Sequence, residues 1–200
     1  VVLNTSRLVQ QGFTILELMV VVAVGAILLS VALPSMTQVI RNNSVGAAAE
    51  LIQNALRQAE GEAIRRNGEV DFMLTDNAPS MATVSSLTAK IDGKNWAVRM
   101  VDSTVPNRYV NGATTSQVSE GVILQGPAGV RFNGSGRVLD LSSAPVGSKQ
   151  IFRVSRASAT VAYCVFVTPG GAVKMCDPSK ASGDPRACQP MLSASDCPAA

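Results

Sequence analysis

Two sets of residues in this sequence carry enough chemistry to suggest a function: four cysteines near the carboxyl end, and one carboxylate inside an apolar run. The cysteines Cys164, Cys176, Cys188 and Cys197 are even in number and lie in a stretch rich in Pro, Gly and Ser. That pattern is typical of disulfides formed in an oxidising compartment. A zinc site is the alternative, but no two of these cysteines have the C-x₂₋₄-C spacing that zinc sites use.

The order of the cysteines does not fix their connectivity, because four cysteines allow three pairings. Loop compactness favours a Cys176–Cys188 bridge, which closes the segment CDPSKASGDPRAC with its two Asp-Pro steps. In the chain-entropy model such a bridge contributes roughly 3 kcal/mol. The remaining pair, Cys164–Cys197, would tie the tail back to a strand predicted at 161–168.

The lone carboxylate is Glu17, which lies in the apolar run FTILELMVVVAVGAILLSVAL at residues 13–33. As a helix this run measures about 30 Å, which is enough to cross a bilayer. A cleaved signal peptide is one alternative, but no small-residue cleavage site follows the run. An ordinary membrane anchor is another, but it leaves Glu17 unexplained, because a carboxylate is costly in lipid and needs a partner.

The rest of the composition argues against an enzyme. Histidine is absent, which removes the commonest general base and the commonest metal ligand. The sequence has no Gly-rich phosphate loop, no G-x-S-x-G and no CxxC pair. The net charge of +3 is too small to indicate a nucleic-acid partner by itself. We therefore expect no catalytic residue, no metal and no cofactor.

The elements that must position these residues are a long helix and a set of short strands. Beyond Pro34, apolar residues recur at three- and four-residue steps up to Ala63, which predicts a helix that packs one face on a sheet. Asn67-Gly68 supplies its end, with the glycine available for a left-handed cap. Residues 106–119 are predicted to form an exposed loop. Strands are predicted at 69–74, 82–87, 94–101, 118–124, 129–132, 137–141, 150–154 and 161–168.

Residues 12–18, GFTILEL, resemble the leader-peptidase signature of type IV pilins and type II secretion pseudopilins. The resemblance implies cleavage after Gly12, N-methylation of the new amino terminus at Phe13, and a helix kink at Pro34. Glu17 is then the fifth mature residue. In an apolar bundle it can pair with the α-amino group of a neighbouring subunit, since leaving either charge alone is costly. Glu17 is therefore predicted to direct assembly and register.

The head resembles that of the GspH/FimT group of minor pilins and minor pseudopilins. The resemblance is carried by residues 47–67, AAAELIQNALRQAEGEAIRRN, and by residues 130–138, VRFNGSGRV. Gly134 and Gly136 are expected simply to serve a hairpin turn. The implied fold class is α+β, the type IV pilin fold, with a long helix packed on an antiparallel sheet. The implied parts are a leader at 1–12, a transmembrane and assembly helix at 13–34, a packing helix at 35–67, a β-rich head at 68–168 and a disulfide-bonded tail at 169–200.

The function that this resemblance implies is that of a structural minor pilin, at the tip or in the priming complex of a type IV pilus. Its partners would be other major and minor pilins, the prepilin peptidase, the assembly platform and the inner membrane. The head would lie in the periplasm before assembly, and in an extracellular pilus or a periplasmic pseudopilus afterwards. One alternative is an H-type minor pseudopilin of a type II secretion system. Another is a DNA-binding minor pilin for natural transformation.

The DNA-binding alternative depends on basic residues near the tail. Some FimT-like minor pilins bind DNA through a Gly-Arg-x-Arg motif, and the matching stretch here, GAVK at 171–174, keeps a basic residue only at Lys174. Lysine contacts phosphate as a point charge, without the bidentate fork of arginine. Lys180 and Arg186 are expected to contribute to DNA contact. A solvated surface is the simpler interpretation, because two aspartates lie among these residues.

Overall fold

The computed structural model describes residues 13–118, 120–190, 192 and 195–197, without the side chains at 31–35 and 118. The leader assigned to residues 1–12, including the cleavage residue Gly12, lies outside the described residues. The chain divides into two compact units between Val39 and Ile40. One helix, α1 (Ile15–Arg66), contributes to both units, so each is described below by itself.

In the first unit, α1 begins with a side-chain cap from Thr14. Thr14 precedes the helix, and its hydroxyl oxygen accepts a hydrogen bond from the backbone N–H of Glu17 at 3.2 Å. The spacing T-x-x-E is the one in which Ser or Thr caps a helix and Glu occupies the third helical position. Glu17 thus lies in the first turn, where the helix dipole favours a negative charge.

The apolar side chains of the first unit are exposed. From Phe13 to Leu29, the large apolar side chains are 50–86% exposed. Among the described residues, no helix is both long enough and apolar enough to cross a membrane. The transmembrane role of residues 13–34 includes positions whose side chains are not described, and it stays a prediction. Pro34 lies within the bounds of α1, and its kink also stays a prediction.

In the second unit, α1 packs one face against the sheets. Its buried side chains follow the predicted three- and four-residue steps, which confirms the amphipathic pattern. Most of them are alanines, so the helix backbone lies close to the strands. Those at most 4% exposed are Val45, Ala48, Ala49, Ile52, Ala55, Leu56, Ala59 and Ala63.

The helix ends one residue earlier than its predicted cap. Asn67, not Gly68, adopts the left-handed conformation, with φ of 48°. The N–H of Gly68 donates to the carbonyl of Ala63 at 3.0 Å, and that of Asn67 donates to Ile64 at 3.2 Å, as in a Schellman motif. Asparagine tolerates this conformation because its short polar side chain can hydrogen-bond locally. The prediction of a glycine cap was therefore wrong.

The remaining elements are short strands and one helical turn. They are β1 (Val70–Thr75), β2 (Asn95–Met100), β3 (Tyr109–Thr114), α2 (Thr115–Val118), β4 (Val122–Gln125), β5 (Gly129–Phe132), β6 (Val138–Leu139), β7 (Gln150–Arg156), β8 (Tyr163–Val167) and β9 (Val173–Cys176). The strands form two antiparallel sheets with the orders β3-β2-β1-β5-β6 and β4-β7-β8-β9. The head is thus α+β with antiparallel pairing, as predicted.

Two predictions about elements were wrong, and one strand was not predicted. Residues 82–87 form a turn rather than a strand, because the carbonyls of Val84 and Leu87 accept hydrogen bonds from the Arg99 side chain, each at 3.1 Å. Residues 106–119 contain β3 and α2 rather than only a loop. The tail contains β9, which pairs with β8 although it lies in a segment rich in turn residues.

Side chains bond the outer backbone groups of two edge strands. On β3, the N–H of Gly112 donates to the Asn111 side chain at 2.8 Å, and the N–H of Thr114 donates to Gln117 at 3.1 Å. The Tyr109 hydroxyl donates to the carbonyl of Gly112 at 3.1 Å. On β9, the N–H of Met175 faces the side chain of Gln53 on α1, as described below.

Candidate functional site

The described assembly residues lie at the start of α1. Phe13 and Thr14 precede the helix, and Glu17 follows in its first turn. The Glu17 carboxylate is thus surrounded in sequence by large, exposed apolar side chains that require lipid or neighbouring protein to cover them. In such surroundings a carboxylate needs a cationic partner, which an α-amino group can supply.

The four cysteines form two disulfides that attach the tail to the second sheet. Cys176 is bonded to Cys188, with a Cα–Cα distance of 4.8 Å, and Cys164 is bonded to Cys197, with a Cα–Cα distance of 6.2 Å. This is the pairing that loop compactness favoured. All four cysteines are buried together with Phe166, and Ile151 and Leu192 pack against them, so the tail covers one face of the sheet with a small core of its own.

A pocket of about 340 Å³ lies between α1, β9 and the loop closed by the Cys176–Cys188 bond. We call it the tail pocket. Its volume is within the range of small-ligand sites. Two cations, Arg57 and Lys174, line it, and no acidic side chain among the described residues does. The full lining comprises Gln53, Arg57, Phe166, Val173, Lys174, Met175, Cys176, Pro185, Ala187 and Gln189.

The predicted basic residues are divided by the fold. Lys174 lines the tail pocket, whereas Lys180 and Arg186 are not among its lining residues. The guanidinium of Arg186 lies 3.3 Å from the carboxylate of Asp184. The backbone N–H of Arg186, followed by its guanidinium, lowers the pKa of Asp184 below its usual value. Arg186 therefore has its own counter-ion.

Arg57 and Gln53 were not predicted as site residues. They are one turn apart on α1, on the side that is not fully buried, and a spacing of four residues does place side chains next to each other on a helix. Oriented so that its carbonyl faces the donors, the Gln53 amide accepts from Arg57 Nη2 at 3.2 Å and from the Met175 N–H at 3.3 Å. Gln53 thus links the Arg57 side chain to the edge of β9.

Glycines bring the hairpin between β5 and β6 against the end of α1. Gly136 has φ of 76°, and a Cβ atom there would lie 3.1 Å from Ile64. Gly171 has φ of 97°, and a Cβ atom there would collide with the carbonyl oxygen of Gly136. A Cβ at Gly134 would lie 2.6 Å from the Asn67 side chain. The expectation that Gly134 and Gly136 serve only a turn was therefore incomplete.

A buried charge cluster lies on the central strand of the first sheet. Asp71 on β1 is 1% exposed and is opposite Arg99 on one neighbouring strand and Arg131 on the other. Arg131 binds its carboxylate with two N–O distances, 2.7 and 3.2 Å, and Arg99 Nε lies 3.5 Å away. Burial lowers the pKa of Arg99 despite the nearby Asp71. Burial also opposes the Arg131 charge, but the hydrogen bonds and charge of Asp71 together with Glu69 raise its pKa overall.

No metal site accompanies these features in the part of the chain that the structure describes: no three His, Cys, Asp or Glu side chains converge as ligands would. The remaining evidence comes from known proteins. The model of the family described as type II transport protein GspH matches residues 48–171, which is more than half of the chain. The chain belongs to the GspH family. The prokaryotic N-terminal methylation motif matches residues 7–33, immediately before the GspH match.

These two matches make this GspH-family chain a minor pilin or pseudopilin, of a type IV pilus or a type II secretion system. Such proteins are structural subunits that form membrane-anchored pilus or pseudopilus filaments with other pilins. No curated protein sequence matches the chain significantly.

Solved structures show where the fold is shared. The type IV minor pilin FimU of Pseudomonas aeruginosa has a TM-score of 0.50 and 14% identity, over 70% of this chain and 94% of FimU. The minor pseudopilin EpsH, from the type 2 secretion system of Vibrio cholerae, has a TM-score of 0.47 and 12% identity, over 68% of this chain and 99% of EpsH. The FimU match supports the type IV pilin fold of the GspH-family head.

Proposed function

We propose that this chain is a structural minor pilin that is incorporated at the tip or in the priming complex of a type IV pilus and promotes pilus assembly. The observation that carries the proposal is the exposed apolar segment of α1 from Phe13 to Leu29, with Glu17 in its first turn. An apolar surface of this extent needs lipid before assembly and other subunits after it. A globular enzyme or a soluble binding protein has no use for such a segment.

Assembly in this proposal depends on two charges. The prepilin peptidase cleaves after Gly12, and the new amino group at Phe13 is methylated but stays positive. That amino group of one subunit pairs with the Glu17 carboxylate of the next. Neither charge is stable alone among apolar helices, so the pair fixes the axial register of the subunits.

The membrane topology follows from the same elements. Residues 13–34 cross the inner membrane once, and the head lies in the periplasm until the assembly platform extracts the subunit into the filament. The two disulfides support this side of the membrane, because disulfides persist in the periplasm and outside the cell but not in the cytosol.

Leader processing is tested with the Gly12→Ala variant. We expect a longer, unmethylated precursor that stays in the membrane, and few surface pili. Gly25→Ala is the matched control, because a Cβ atom at Gly25 has nothing within 4 Å in this structure. Mass spectrometry of the mature amino terminus and counts of surface pili are the measurements. A mature chain that starts elsewhere than Phe13, or normal piliation in a clean deletion of the gene, contradicts the proposal.

The assembly role of Glu17 is tested separately with Glu17→Gln, which keeps the side-chain shape and removes the charge. We expect normal leader cleavage but strongly reduced incorporation into filaments, measured by immunoblot of sheared pili. Glu50→Gln is the control, since Glu50 is an exposed acid farther along the same helix. Full incorporation of the Glu17→Gln variant would exclude a role for the carboxylate in assembly.

The main alternative is an H-type minor pseudopilin of a type II secretion system, which the description of the family itself supports. The deletion strain separates the two functions. Loss of surface pili with normal protein secretion supports the minor pilin, and loss of secretion with normal pili supports the pseudopilin.

A DNA-binding minor pilin is the third candidate, and Lys174, Lys180 and Arg186 would be its contacts. It has weaker support, because Arg186 is already paired with Asp184. The test is retardation of duplex DNA by the purified protein at low salt, where phosphate contacts are strongest. Weaker retardation with Lys174→Ala supports this candidate, and no retardation even at low ionic strength excludes it.

A further inference from the structure

The tail pocket contains positive charge that the described residues do not neutralise. Neither Arg57 nor Lys174 forms an ion pair with any described acidic residue. Glu60 lies one turn from Arg57 and senses its charge: burial raises the pKa of Glu60, and the Arg57 charge partly opposes that rise. Glu60 does not line the pocket, so an anion that enters it meets two cations and no carboxylate from the part of the chain that the structure describes.

The fold holds these cations in place from two sides. Gln53 accepts a hydrogen bond from Arg57 Nη2 at 3.2 Å, which limits the positions of the guanidinium. Lys174 lies on β9 opposite Phe166 of β8, so its backbone position is fixed by strand pairing. The far wall consists of Pro185, Ala187 and Gln189, and the Cys176–Cys188 bond closes the loop that carries the first two of them.

The number of charged and amide side chains in the tail pocket indicates how large an anion it can bind. Two cations and two amide side chains match one carboxylate, which accepts a few charge-assisted hydrogen bonds. A nucleic-acid backbone presents a phosphate at every step and is bound by many cations in a row. Arg186, the exposed arginine of the adjoining loop, already has Asp184 as its counter-ion. The pocket is therefore suited to a single anionic side chain rather than to a duplex.

We propose that the tail pocket binds a carboxylate, an Asp or Glu side chain or a carboxyl terminus, from a neighbouring subunit of the filament, with Arg57 and Lys174 as its ligands. This inference rests on the proposed assembly into a filament. It adds a contact between heads to the contact between helices that Glu17 makes, and it gives the disulfide-closed loop a function as the wall of a subunit-binding pocket.

The contact is tested by zero-length cross-linking of intact filaments with a carbodiimide. The reagent activates a carboxylate, the Lys174 amine attacks the activated carbonyl carbon, and the urea leaves, so an isopeptide bond forms only where the two groups touch. Mass spectrometry of the digested filaments is expected to find Lys174 joined to an acidic residue or carboxyl terminus of another chain. The same treatment of the full-length protein in detergent micelles is expected to give at least about tenfold less of this product, consistent with one charge-assisted contact.

Lys174→Arg is the matched control, because it keeps the positive charge and removes the reactive amine. It is expected to lose the cross-link, which assigns that product to the Lys174 amine. Lys94→Arg, at an exposed lysine that does not line the tail pocket, is expected to incorporate normally and to keep the cross-link. Arg57→Gln combined with Lys174→Gln removes both charges and is expected to reduce incorporation about tenfold, while leader cleavage stays normal.

The outcomes separate this inference from the proposed function. One outcome is that filaments contain the chain but yield no Lys174 cross-link, although the Lys174 amine reacts with a soluble amine reagent as readily as it does in micelles. That outcome overturns the inference and leaves the minor-pilin function intact. Absence of the chain from purified filaments refutes both. Retardation of duplex DNA that depends on Arg57 and Lys174, without a cross-link to protein, overturns the inference in favour of nucleic acid.

Discussion

Replacement of Asp71 by Asn removes one buried charge and almost nothing else. The carboxylate of Asp71 is opposite Arg99 and Arg131, whose side chains are only 18% and 12% exposed. The variant leaves the Arg99 guanidinium without an ion-pair partner among the described residues, while Arg131 keeps Glu69 at 3.3 Å. Removing one partner of a buried ion pair costs about 3–5 kcal/mol, because the remaining charge is left uncompensated.

The effect is measurable through the single tryptophan, Trp96, which is 4% exposed on β2. Urea unfolding of the full chain in detergent is followed by its fluorescence. With a urea dependence of about 2 kcal/mol per molar, the loss corresponds to a midpoint about 1.5–2.5 M lower. Asp76→Asn is the control: its ion pair with Lys90 is exposed, so its midpoint should fall by less than about 0.5 M.

Two results would refute this reasoning. One is a midpoint for Asp71→Asn that is as close to the wild type as that of Asp76→Asn. The other concerns the triple variant Asp71→Leu, Arg99→Met and Arg131→Met, which removes all three charges together. It should be more stable than the summed losses of Asp71→Asn and Arg99→Met predict, because apolar replacements of a buried ion cluster are often neutral or stabilising, whereas Arg99→Met by itself also removes the hydrogen bonds to the carbonyls of Val84 and Leu87. A triple variant as unstable as those summed losses would show that no charge is left uncompensated in Asp71→Asn.

Three other changes have defined outcomes. Gly171→Ala should destabilise the head by about 1–3 kcal/mol in the same urea assay, because of its positive φ and the collision with Gly136, while Gly147→Ala, with nothing within 4 Å, should be near neutral. Loss of the Cys164–Cys197 bond, which joins residues 33 apart in sequence, should lower the free energy of unfolding by about 4 kcal/mol. Loss of the Cys176–Cys188 bond, which joins residues 12 apart, should lower it by about 3 kcal/mol. A larger loss for the shorter loop would contradict the chain-entropy account. Burial raises the pKa of Glu60 above its ordinary 4.5, so protonation of Glu60 stabilises the folded head. This contribution to the free energy of unfolding is present in full below pH 4.5 and is lost as the pH rises through the folded-state pKa. Glu60→Gln should therefore flatten the pH dependence of the urea midpoint just above pH 4.5, and an unchanged profile would exclude Glu60 as its cause.

Most of the architecture could be predicted because it depends on local patterns. The apolar spacing from Val45 to Ala63 predicts the packed face of α1, and short apolar runs predict strands such as β5. β3 could not be predicted in this way, because Asn, Gly and Thr are typical of loops, and only its pairing with β2 makes it a strand. The strand predicted at 82–87 was wrong because this segment has an apolar pattern but no partner strand in the described part of the chain, and its carbonyls accept hydrogen bonds from the side chain of Arg99 on β2.

The candidate site was predictable only where a contiguous motif carries it. The segment from Gly12 to Glu17 is such a motif. The tail pocket is not, because Arg57 on α1 and Lys174 on β9 are far apart in the chain and meet only after the tail has folded back. Asp71 gave no signal either, since an acid in a strand indicates an exposed position until the register of both neighbouring strands is known.

The bonded outer groups of β3 and β9 determine how copies of this head can join. An exposed strand with free N–H and C=O groups invites another chain to add itself to the sheet, which is how many proteins misassemble. Here the side chains of Asn111, Gln117 and Gln53 already occupy donors on two edges. Strand addition at these two edges is thereby hindered, so heads that meet there would join through side chains, as at the tail pocket, while β4 and β6 are the edges that remain for backbone pairing.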